Sequence, residues 1–111
     1  MEAVVRALAE PHRREILRLV SDRELPAGQI ASHFEVTGPA VSQHLRVLKE
    51  AGLVSERRNG TRRLYRARPE SIAQLRAYLE SYWDENLRLL KHAAEQEEQR
   101  GTRRDRRHKG N

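Results

Sequence analysis

Apolar residues recur along this chain at helical spacing, break off, and recur again. Val4, Val5 and Leu8 mark a short first helix within MEAVVRALAE. Pro11 ends it and opens a second helix, in which Ile16, Leu17 and Val20 share one face. The polar run SDREL interrupts the pattern. After Pro26, the residues Ala27, Ile30 and Phe34 stand at i, i+3 and i+7 and predict a third helix. The short link EVT joins it to a fourth, running from about Gly38 to Ala51. Thr37 suits the N-cap of that helix, Pro39 its first turn and Gly52 its stop. The period then changes to two in LVSERR and RRLYRA, a pair of strands split by Asn59-Gly60. Pro69 opens a long last helix predicted to reach about Arg100, and a tail without apolar residues, GTRRDRRHKGN, starts at Gly101. The expected architecture is mainly α: five helices plus a two-stranded β-hairpin. One domain is expected over residues 1–100, followed by a basic, disordered tail over 101–111.

The hairpin allows a register to be predicted. An Asn-Gly type I′ turn sets Arg58 opposite Thr61, Glu56 opposite Arg63 and Val54 opposite Tyr65. On the other face it opposes Arg57 to Arg62, a like-charge pair that a phosphate between them would relieve.

In the fourth helix Val41, Leu45 and Leu48 fall in one narrow stripe at 100° per residue and must face the core. Pro39, Gln43, Arg46, Val47 and Glu50 then point away, with Ser42 and His44 on the flanks. A short helix, a tight turn and a second helix with such an outer face form a helix-turn-helix, whose second helix enters the major groove by its N-terminal end. Gln43 can bond adenine N6 and N7 together, Ser42 can reach a base or a phosphate, and Arg46 can reach guanine or the backbone. The hairpin becomes a wing. The expected DNA-binding residues are Thr37, Gly38, Pro39, Ala40, Ser42, Gln43, His44 and Arg46 on the helix, with Arg57, Arg58, Asn59, Gly60, Thr61, Arg62 and Arg63 on the wing.

Charge sharpens this picture. The net charge of +6 is unevenly spread: residues 1–45 sum to −1, 46–68 to +6, 69–100 to −3 and 101–111 to +4. A basic excess concentrated on the fourth helix and wing is the footprint of a polyanion partner, here double-stranded DNA. In the last helix, Leu75, Leu79, Tyr82, Trp83, Asn86 and Leu90 form a stripe longer than a small body can cover. With Val5 and Leu8 of the first helix, they are the expected interface of a homodimer.

The stretch ALAEPHRREILRLV, then LPAGQIASHFEVTGPAVSQHLRVLKEAGLVSERRNGTRRLYRA, resembles the ArsR/SmtB-type winged helix-turn-helix repressors of bacteria. The likeness extends from residue 3 to about residue 95. It implies a homodimeric repressor on an inverted-repeat operator, with Ser42 and Gln43 at the recognition contacts and Arg58 to Arg63 at the wing tip. The chain resembles the branch of the family without metal-ligand motifs. A chain with no cysteine has no thiolate site, disulfide or thiol nucleophile. His92 and Glu95 supply half of a last-helix zinc pattern, but Leu79 and Ser81 stand where its other ligands would be. No metal or other cofactor is expected, and His12, His33 and His44 read as exposed, flanking or packing residues. No catalytic constellation stands out, so an enzyme is not expected. Without a secretory signal or a membrane-length apolar run, the chain is assigned to the cytoplasm, with no membrane partner. The alternative functions are a repressor released by a metal or small ligand, and a sequence-tolerant architectural DNA binder.

Overall fold

A computed structural model describes the backbone of residues 1–109 and side chains through residue 101. The elements are α1 (Glu2–Leu8), α2 (Pro11–Leu19), β1 (Leu25–Pro26), α3 (Ala27–Ala31), α4 (Gly38–Glu50), β2 (Val54–Asn59), β3 (Arg62–Ala67) and α5 (Pro69–Lys109). The chain divides into two compact units, Met1–Leu75 and Arg76–Asn111. The predicted mix of five helices and a wing is the one observed.

Local chemistry sets the helix starts. Glu10 caps α2 by accepting from the Arg13 N–H, with Pro11 in the first turn, and Thr37 caps α4 by accepting from the Ala40 N–H at 3.2 Å. Gly52, at φ +78°, ends the passage from α4 into β2 in a conformation that a Cβ would strain. The core of the first unit joins Ile16 and Val20 of the α2 region, Ile30 of α3, Val41, Leu45 and Leu48 of α4, and Leu53 and Val54 at the wing base, all essentially buried. In α1 the buried residue is Ala7, with Val4 and Leu8 partly buried against the core and Val5 exposed. Leu8 therefore packs within its own unit. Val47, expected to point outward, is also partly buried against the core.

Three details differ from the sequence reading. The sheet has three strands in the order β1-β3-β2, because Leu25, the last residue of the polar run SDREL, pairs with Tyr65, and Pro26, expected to open the third helix, pairs with Leu64. The wing turn is centred on Gly60-Thr61, with Gly60 at φ +65° and Asn59 outside the positive-φ region. Glycine in the first central position is the mark of a type II′ turn. Val54 consequently faces Ala67, Glu56 faces Tyr65, Arg57 faces Leu64 and Arg58 faces Arg63. The last helix also continues past Arg100, through Gly101 to Lys109. The side chains of 102–109, and the last two residues altogether, lie outside the described residues.

Candidate nucleic-acid interface

The recognition helix α4 is anchored on one side and open on the other. Val41, Leu45 and Leu48 are at most 2 % exposed, so the helix cannot rotate about its axis without unburying them. Thr37, Gly38, Pro39, Ser42, Gln43 and Arg46 are all exposed, and Ala40 is partly buried. The residues expected at bases or phosphates thus share one solvent-facing side, concentrated in the N-terminal half of the helix.

His44 is the exception. Its side chain is only 17 % exposed, and its ring stacks on that of His12 with centroids 5.5 Å apart and planes 10° from parallel. Arg13 approaches the His44 Nδ1 at 3.4 Å while donating from Nε to the Ala7 carbonyl. His44 is directed at α2, which leaves Ser42, Gln43 and Arg46 as the open polar side chains of this face. The sequence treated His12 and His44 singly. Their meeting with Glu10 depends on the packing of α2 against α4, for which the sequence carries no local signal.

On the wing, Arg58, Asn59, Gly60, Thr61, Arg62 and Arg63 are exposed. The directly opposed like-charge pair is Arg58 and Arg63, rather than Arg57 and Arg62. Thr61, Arg62 and Arg63 also line an open cleft with Pro26, Ala27, Gly28 and Gln29 at the start of α3. Arg57 is engaged elsewhere: its Nε and Nη2 donate to the two Glu24 carboxylate oxygens at 3.1 and 2.6 Å. That guanidinium holds the Glu24 carboxyl below the usual carboxylate range, and the carboxylate in turn raises Arg57. Further down the wing, the Tyr65 hydroxyl donates to Glu56 at 2.9 Å, and Lys49 lies 3.6 Å from the same carboxylate. The hydrogen bond from Tyr65 is the main reason that Glu56 stays ionised below the usual range. Burial, followed by that hydrogen bond, pushes the Tyr65 phenol up. This network links both strands of the wing to Lys49 of α4.

In the second unit, Leu79, Tyr82, Trp83 and Leu90 are all at least half exposed, and Asn86 is partly buried. Tyr78 and Tyr82 stack at 6.4 Å. Leu75, expected in the same stripe, is half-buried at the end of the first unit. His92 and Glu95 are exposed, and His92 shares a hydrogen bond with Gln96 at 3.0 Å. Leu79 and Ser81 stand at the remaining positions of the last-helix zinc pattern, and the sequence holds no cysteine. Among the described residues, no helix is long and apolar enough to cross a membrane.

The same frame occurs in known proteins. Residues 10–56 match the family model described as bacterial regulatory protein, arsR family. The HTH-type transcriptional regulator Rv2034 of Mycobacterium tuberculosis is 44 % identical over 81 residues, covering 73 % of this chain and 76 % of that protein. The transcriptional repressor SdpR of Bacillus subtilis is 42 % identical over 60 residues, covering 54 % and 67 % of the two chains. Among solved structures, the homodimeric winged helix-turn-helix DNA-binding domain of a Mycobacterium bovis regulator matches with a TM-score of 0.62 and 37 % identity, over 76 % of this chain and 78 % of that one. The helix-turn-helix, the wing and these relatives together place the chain in the ArsR family of bacterial transcriptional regulators.

Proposed function

We propose that the chain is a transcriptional repressor that binds an inverted-repeat operator as a homodimer in the cytoplasm, and that it is not an enzyme. The observation that carries this reading is the open face of α4: Ser42, Gln43 and Arg46 stand exposed on a helix whose opposite side is locked into the core. The net charge of +6 on residues 46–68 supplies attraction for phosphates beside it. The repressor role is supported by the relative SdpR, and the dimer by the homodimeric solved domain. The exposed stripe of α5 provides the surface for a second copy. Two copies can then set their recognition helices about 34 Å apart, one turn of DNA. Operator binding needs no metal in this reading, since the last helix carries only the His92 and Glu95 half of a site.

Substitution at two positions tests it. Gln43→Ala should cost about 1–3 kcal/mol on the operator and flatten the preference at one base pair per half-site. Arg62→Ala should weaken all sequences alike and lower the salt slope by about one. Equal loss of operator and random duplex binding in Gln43→Ala would refute base reading, and a preference below about 10³-fold over random duplex in the parent would refute a specific operator.

A further inference from the structure

We propose that Glu10, His12 and His44 form a binding site for a divalent transition-metal ion, joining the start of α2 to the recognition helix. One donor atom from each residue lies within 4.8 Å of the other two. Each is partly buried, with side-chain exposures of 29 % for Glu10, 40 % for His12 and 17 % for His44. The site is separate from His92 and Glu95 of the last helix, and it departs from the expectation that the chain binds no metal, which rests on the absence of cysteine and the half-complete pattern of His92 and Glu95.

The donors are held before any ion arrives. Glu10 is fixed as the N-cap of α2, with one oxygen 3.0 Å from the Arg13 N–H and the other 2.8 Å from the His12 Nδ1. The His12 ring is flanked by His44 and by Phe34, whose centroid is 5.6 Å away. The Glu10 oxygen that accepts from the Arg13 N–H also lies 3.8 Å from the His44 Nδ1. A tetrahedral ion with bonds of about 2.1 Å needs donors about 3.4 Å apart, so closure from 4.8 Å is within the swing of side-chain torsions.

Arg13 bears on the kind of ion. A guanidinium can only donate, so its Nη1, 3.4 Å from the His44 Nδ1, and an incoming ion would compete for the lone pair of that nitrogen. An ion taking that lone pair displaces one long contact. The Arg13 Nε keeps the Ala7 carbonyl at 2.6 Å, and Nη2 keeps the Arg6 carbonyl at 3.3 Å. The guanidinium remains a nearby positive charge, which only one carboxylate offsets. Ions that bind mainly through charge, such as magnesium or calcium, are therefore disfavoured. Ions with a strong preference for imidazole, such as zinc, nickel or cobalt, are selected. The exposed side of His12 leaves room for water to complete the coordination.

The test uses the full chain, freed of metal by chelation and titrated with cobalt(II) or zinc alone. Cobalt should develop visible absorption of a nitrogen- and oxygen-ligated ion, and zinc should raise the melting temperature by binding the folded state. His12→Gln lies at a half-exposed position in the first turn of α2 and keeps the core intact. It should weaken zinc at least about tenfold, the scale seen when residues that merely orient a ligand are lost. Glu10→Gln, which keeps an N-cap acceptor, should do the same, and His92→Gln should change nothing. The proposal is overturned if the parent binds neither ion, if His12→Gln and Glu10→Gln bind as tightly as the parent, or if His92→Gln abolishes binding.

Discussion

The residues up to Leu75 and the helix beyond it treat their apolar side chains in opposite ways. In the first unit Ile16, Ile30, Leu45, Leu48 and Leu53 are 0–1 % exposed. In the second, Tyr78, Leu79, Tyr82, Trp83, Leu87, Leu89 and Leu90 are 42–63 % exposed. At 100° per residue, Leu79, Tyr82, Trp83, Asn86 and Leu90 fall within about a third of the helix circumference, the width of a packing face. Burying a large apolar side chain contributes about 1.5–3 kcal/mol, so this face withholds a sizeable stabilisation until something covers it. In the proposed reading the first unit carries the DNA-reading surface on its own core, and the exposed face of the last helix takes a second copy. On that reading DNA contact and assembly rest largely on separate residues and can be perturbed separately.

The sharpest way to break this division is at the helix. Changing Leu79 and Trp83 together to glutamate should yield a monomer, because unpaired charge would be buried at the joint. Operator affinity should fall about 10²–10⁴-fold, the gain ordinarily supplied by linking two weak half-sites. The body should remain folded, since none of its buried residues is touched. Sedimentation would report the mass, circular dichroism the fold and a binding titration the affinity. A folded monomer that still held the full operator as tightly as the parent would remove the last helix from the mechanism.

Much of this arrangement was legible in the sequence, and the failures have physical causes. The stripe Val41, Leu45, Leu48 and the caps at Thr37 and Gly52 are local signals, and all are realised. The apolar stripe of α5 was legible for the same reason. The wing register differs from the expected one by two residues along β3. Since side chains alternate with period two, such a slide leaves each on its face, and alternation cannot detect it. What fixes the pairing is burial of Val54 opposite Ala67 and the hydrogen bond from Tyr65 to Glu56, both non-local. Strand β1 has two residues, too few to show a period. The engagement of Arg57 with Glu24 and of His44 with His12 and Arg13 joins segments far apart in the chain, so residue type and spacing could not reveal either.

A second perturbation belongs to the body alone. Tyr65→Phe removes the hydroxyl that donates to Glu56 and should cost about 1–2 kcal/mol at neutral pH, as for a hydrogen bond to a partly exposed charge. The sign with pH follows from the two shifts. Glu56 is depressed in the folded state, so its contribution is present above the usual carboxylate range and is lost as pH falls through its lowered value. Tyr65 is raised, so its contribution is present below the usual phenol range and is lost as pH rises through its raised value. The variant should flatten the alkaline limb of the stability profile. It should shrink the acid limb without abolishing it, because Lys49 still faces Glu56. Urea melts across pH would check this, with unchanged dimer mass as the control. Parallel profiles for parent and variant would show that the pair does not couple folding to pH.

The smallest expected effect concerns neither the core nor the helix stripe, but the division of labour among the wing arginines. Arg57 has the charge to hold a phosphate, yet it is tied through two hydrogen bonds to Glu24. Arg57 is exposed and Glu24 only partly buried, so the pair adds little to stability, and its main consequence is competition: the carboxylate occupies the donors that DNA would otherwise use. Glu24→Gln keeps the side-chain shape, removes one negative charge beside the wing and loosens Arg57. Operator and random duplex should then both bind more tightly, with the salt slope steeper by up to about one, as for one added phosphate contact. Base preference should be unchanged, because Gln43 is not involved. Arg57→Gln in the parent should have almost no effect on DNA, but in the Glu24→Gln background it should cancel the gain. That double substitution separates a freed Arg57 from the mere loss of a negative charge, which would persist without the arginine. If Glu24→Gln instead weakened the operator, the pair would be a brace that sets the wing for DNA, and Arg57 would belong to the scaffold of the reading surface.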